Sequence, residues 1–156
     1  MANTAFIVDN KEALKMFNRA ENAFKNMQKP LKETRTYELK QIQEAFKVSG
    51  KNITGQRWKS LRPSTVKEKI LSGFTTRILE RTGKMKKSFR SIKLNKEELQ
   101  ITSKGVKYFA QHQQGKDGST FKAGIPQRQM LGFSKTMIRK ITDIFINFID
   151  KTIKHG

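Results

Sequence analysis

Two histidines, His112 and His155, are the only imidazoles in the chain. They are its first candidates for proton transfer near neutral pH. His112 lies in YFAQHQQG, residues Tyr108 to Gly115. A general base needs a nucleophile and an orienting acceptor within reach. Its chain neighbours are Gln111, Gln113 and Gln114, and Asp117 sits in a Gly-rich loop. That setting favours a structural histidine bonded to backbone; a small hydrolase is the competing reading. His155, at the end of the chain, reads as a surface residue. There is no cysteine, so thiol chemistry, disulfides and cysteine-ligated metal are excluded. Neither GxxxxGK[ST] nor GxGxxG occurs, and the 13 acidic residues are scattered rather than paired. No catalytic residue, metal site or cofactor is expected.

Charge carries a second kind of chemistry. Lys and Arg number 33 against 13 Asp and Glu, a formal net charge of +20. Such a chain is drawn to polyanions: nucleic acid first, then an acidic protein surface or an anionic membrane. The densest run is Arg77, Arg81, Lys84, Lys86, Lys87, Arg90 and Lys93, relieved only by Glu80. It reads as a sequence-independent contact with DNA or an acidic partner, against the alternative of a solvated surface. Phe74, Phe89, Phe109 and Phe121 are not interleaved for base stacking and are expected in the core. No apolar run approaches a bilayer span and no signal peptide is evident, so the chain is expected to work from the cytoplasm without contacting a membrane.

The elements that position these residues follow from pattern. With 156 residues, one domain is expected: a helical part over 1–50, a central part over 51–134 and a final helix over 135–156. Asp9 and Glu12 form a capping box ahead of Leu14, Phe17, Phe24 and Leu31 at helical spacing. Pro30 breaks or kinks that helix, the pattern resumes at Tyr37, Ile42, Ala45 and Phe46, and Gly50 stops it. Met1 to Val8 reads as an arm or edge strand. A short helix is expected from Ser64 to Ile70, with another helical piece from Leu79 to Lys87. Phe89 to Leu94 and the ELQIT stretch read as a hairpin, with Leu99 and Ile101 inward, turning at Asn95 to Glu97. STFKAG suggests one more strand. Ser134 caps a last helix carrying Met137, Ile138, Ile141, Ile144, Phe145, Phe148 and Ile149 on its apolar face, widened by Ile146 and Ile153. The class is α+β: a long N-terminal helical segment, a small antiparallel sheet and a C-terminal amphipathic helix. Trp58 is expected to pack a loop onto this core with its indole N–H on an acceptor, or else to anchor an interface.

Read in order, GQRWKSLRPSTVKEK, ILERTGKMKKSF, YFAQHQQG and IPQRQMLGFS resemble the phage virion morphogenesis family of tail-completion proteins. Trp58, Leu61, Thr65 and Lys69 fill the first block, and Leu79, Thr82, Gly83 and Ser88 the second. Tyr108, His112, Gln113 and Gly115 fill the third; Ile125, Pro126, Arg128, Leu131 and Gly132 fill the fourth. Departures are Phe109 after Tyr108, Met85 in place of Leu, and Gln127 and Gln129 around Arg128.

The resemblance implies a non-enzymatic assembly protein of the virion neck and tail, made in the host cytoplasm. It implies tail completion or head–tail joining by a homo-oligomeric ring, hexamer or dodecamer, around the DNA channel. Its partners would be itself, other neck and tail proteins, and DNA in the channel. His112 and the IPQRQMLG loop then become structural and assembly elements: Pro126 stiffens the loop, Gly132 permits a turn and Arg128 takes carboxylates or carbonyls bidentately. The Gly115 to Ser119 loop would reach a neighbouring subunit. A nucleic-acid-binding protein unconnected with virions is the alternative.

Overall fold

The computed structural model describes residues 10–115 and 124–155. Helix α1 (Lys11–Lys25) begins after Asn10, which makes no side-chain cap bond; the expected cap, Asp9, lies outside the described residues, as do Met1 to Val8. The chain breaks at Asn26 and Met27 and restarts as α2 (Gln28–Lys47). The break thus precedes Pro30, which occupies the first turn of α2, where an N–H would have no intrahelical partner anyway. At the far end Ser49 takes φ +53 and the Gly50 N–H donates to the Ala45 carbonyl at 2.8 Å. This is a Schellman closure in which Ser49, rather than the expected Gly50, supplies the left-handed residue next to the cap.

Two short helices follow, α3 (Lys51–Thr54) and α4 (Pro63–Leu71), the latter matching the expected Ser64 to Ile70 and started by Pro at its first position. The helical piece expected from Leu79 to Lys87 is corrected to a single turn, α5 (Lys84–Lys87). Leu79 has φ +59 and Gly83 φ +72, left-handed conformations that no α-helix continues through.

Strands β1 (Phe89–Leu94) and β2 (Leu99–Ser103) form the antiparallel hairpin, the one sheet among the described residues. The turn spans residues 95–98, one more than expected, because the Asn95 side chain accepts the N–H groups of Glu97 (2.9 Å) and Glu98 (2.7 Å). The imperfect alternation of FRSIKL has a cause. The register shifts between Ser91 and Lys93, so Ile92 bulges out, half-exposed, and Leu94 returns to the face of Phe89 and Ser91, opposite Leu99 and Ile101. STFKAG lies outside the described residues except for Gly124.

YFAQHQQG folds as α6 (Phe109–Gln114), and the chain ends in α7 (Lys135–His155). Ser134 Oγ accepts the Met137 N–H at 3.3 Å, the expected cap. Met137 and Ile144 are buried, whereas Ile138 and Ile146 remain half-exposed. The class is α+β as expected, with the hairpin and α7 packed on α2. The core joins Ile42, Ala45, Phe46, Ile53, Trp58, Met85, Phe89, Met130 and Met137. An edge-to-face series of rings runs through it, Trp58–Phe46 (5.6 Å), Phe46–Phe89 (6.1 Å) and Phe89–Phe109 (5.7 Å). Phe74 instead sits beneath the Arg81 guanidinium at 4.7 Å, and Phe121 lies outside the described residues. No helix among the described residues is long and apolar enough to cross a membrane.

Candidate functional site: a basic groove

The motif residues meet in space, and their polar atoms mostly bond the backbone of another block. Trp58 Nε1 donates to the Gln129 carbonyl at 2.8 Å, joining the first block to the fourth. Its ring needs the space beside Gly50, where a Cβ would stand 2.1 Å from Nε1. Trp58 is thus buried on the core rather than exposed as an anchor. Lys69, on α4 and buried, donates to the carbonyls of Arg77 (2.6 Å) and Glu80 (3.2 Å), fastening the loop of the second block. Burial and the nearby Arg81 charge push its ammonium below the usual lysine range, opposed by Glu68 and Glu80. Ser88 Oγ donates to the Met85 carbonyl at 2.7 Å and shares a hydrogen bond with Ser103 Oγ at 2.6 Å, tying α5 to β2.

Gln113 pins the third block to the fourth. Its Nε2 donates to the Leu131 carbonyl (2.7 Å), and its Oε1 accepts the N–H groups of Met130 (2.8 Å) and Leu131 (3.1 Å). Gly115, at φ +77, lets Gln127 pass so closely that a Cβ would lie 3.1 Å from its backbone nitrogen. Arg128 is buried, and its Nε and Nη2 both reach the Lys59 carbonyl, at 3.3 and 3.2 Å. Of the two acceptors expected for it, the structure selects a carbonyl. Gly132 serves close packing rather than the expected turn: a Cβ there would meet Ile53 Cγ2 at 3.2 Å.

The Nδ1 atom of His112 is buried with no hydrogen-bond partner among the described residues. The His112 carbonyl accepts the Arg128 N–H at 2.6 Å, and Tyr108 meets the His112 ring edge-on at 6.1 Å. Burial and then the Arg128 charge hold the imidazole below its ordinary range. Among the described residues no group of His, Asp and Glu is placed to hold a metal.

The blocks enclose a groove of about 900 Å³. Leu61, Thr65, Lys69, Leu79, Thr82, Gly83, Tyr108, His112, Ile125, Pro126 and Arg128 line it, so all four blocks contribute. Trp58, Ser88, Gln113, Gly115, Leu131 and Gly132 are not among its lining residues. Of the basic run, Arg81 and Lys84 face the groove; Arg77, Lys86, Lys87, Arg90 and Lys93 lie outside it. Several of the run are internally paired: Arg81 with Glu68 (2.7 Å), Arg77 and Lys86 with Glu80 (3.8 and 3.6 Å), and Lys93 with Glu98. Lys59, Ser60 and Arg62 also line the groove and were not singled out by sequence. The signal was there, a KSLR stretch of two cations between Trp58 and Pro63. Arg62 is the N-cap of α4 without a side-chain cap bond, so the positive end of that helix adds to the local field.

No curated protein and no solved structure matches the chain. The model of the phage virion morphogenesis family, however, matches residues 8–150, nearly the whole length. That match spans the motif blocks, the ties between them and the helices packed around them, and the chain therefore belongs to the phage virion morphogenesis family.

Proposed function

We propose that this protein completes the tail or joins head to tail at the neck of a phage or prophage particle, as a non-enzymatic ring of identical subunits around the DNA channel. Family membership supports a role in phage virion assembly. The observation that carries the finer reading is the use made of the motif side chains. Lys69, Gln113, Arg128 and Trp58 bond backbone carbonyls of other blocks, which builds a rigid surface rather than a reaction centre. A closed ring needs such fixed surfaces, since each subunit must meet the next at one repeated angle. Electron microscopy of particles made without the gene tests it. Full heads beside separate or overlong tails are the expected result; normal infectious particles would overturn it.

The net charge of +20 favours a second reading, sequence-independent nucleic-acid binding outside any particle. Normal particles from the deletion, together with micromolar or tighter binding of bare DNA by the isolated chain, would establish that reading instead.

A further inference from the structure

We propose that the basic groove receives an extended acidic peptide segment of another protein of the particle, its carboxylates on the groove's cations and an apolar side chain between them. The proposal rests on the assembly reading above and names the chemistry of the partner. Among the described residues, the groove's lining holds Lys59, Arg62, Lys69, Arg81, Lys84 and Arg128 against one carboxylate, Glu80. Glu80 is already faced by Arg77 and Lys86 from outside the groove, while Arg81 is paired with Glu68. Lys59 and Lys84 are exposed and have no carboxylate within ion-pair distance among the described residues.

Two of the cations are held in place before any partner arrives. Lys69 is fixed by two carbonyls and Arg128 by one, so little side-chain freedom remains to be lost on binding. The half-buried Leu61, Leu79 and Ile125 and the partly exposed ring of Tyr108 share the same lining. A lining that mixes cations with apolar side chains suits a chain that alternates carboxylates with apolar side chains. It does not suit a duplex: a concavity of about 900 Å³ has the size of a single-ligand pocket, and DNA is a stiff rod with its phosphates outside.

The test is fluorescence anisotropy on the full chain with a labelled peptide alternating Glu and Leu, beside the same peptide with Gln for Glu and a labelled DNA duplex. The reversal pair Lys59→Glu with Lys84→Glu is compared with Lys32→Glu and Lys40→Glu, which change net charge equally on exposed positions of α2. The groove pair is expected to weaken the acidic peptide by about tenfold or more, and the α2 pair by less than about twofold. The Gln peptide is expected to bind poorly to every form. Equal losses from both pairs, equal binding of the Gln peptide, no binding of the acidic peptide at low salt, or a groove-pair loss seen only with DNA would each overturn the proposal. None of these outcomes touches the deletion phenotype, so failure of the groove proposal and failure of the assembly reading remain separable.

Discussion

Gly50 shows how one position can be over-determined. It has φ +79, and any side chain there would enter the Trp58 indole, 2.1 Å from Nε1. Backbone strain and a core clash add, so Gly50→Ala is expected to cost about 2–4 kcal/mol, read as a lower denaturant midpoint with unchanged slope. Glu38 is a different case. It is buried on α2, its Oε1 has no partner, and burial raises its carboxyl to about 7 from 4.5. The folded form therefore holds a proton that the unfolded form has lost between those values. Its contribution is most favourable below the unfolded value, falls as pH rises toward about 7, and is constant above. Glu38→Gln is expected to remove that fall and to be more stable than the natural chain by about 1–3 kcal/mol above pH 7, measured by urea unfolding across pH. His112 works in the opposite sense. Its folded value is depressed, so its contribution is full above the ordinary histidine value and is lost as pH falls below it.

Among elements, the loop after residue 124 depends on one side chain of α6. Gln113 satisfies three backbone groups of Met130 and Leu131, and Met130 is fully buried. Gln113→Ala leaves those groups without partners, a loss of about 2–4 kcal/mol, with faster amide exchange at Met130 and Leu131 than elsewhere in the core. Helix α1 is the converse. Leu14, Phe17 and Phe24 share the spacing expected of a core-facing stripe, yet Phe17 is 71% exposed and Ala23 is the helix's only buried residue. Replacing Phe17 and Phe24 by Ser is expected to change the stability of the isolated chain by less than about 0.5 kcal/mol, by thermal or urea unfolding. Periodicity located these helices because it depends only on residue spacing. It overextended the piece before β1 because Leu79 and Gly83 turn left-handed, which no spacing rule detects in a leucine.

For the whole molecule, charge sets behaviour in solution before any specific contact does. At +20, the chain is expected to bind duplex DNA of any sequence weakly at low salt, with affinity falling steeply as salt rises, measured by anisotropy with two unrelated duplexes. A sequence preference or a flat salt response would contradict this. The sequence by itself determined the α+β class, the hairpin, the C-terminal helix and its cap, and the family. These follow from local pattern, or from motif blocks that keep their order along the chain. Tertiary structure alone decided that the blocks converge on one groove and that Lys69, Gln113 and Arg128 reach carbonyls 8 to 69 positions away in the chain. It also divided the basic run, sending Arg81 and Lys84 to the groove and Lys93 to Glu98 on the hairpin. The physical reason is common to all three. A side chain's type sets which partner it can take, but which partner lies within hydrogen-bond or ion-pair distance depends on how distant segments pack.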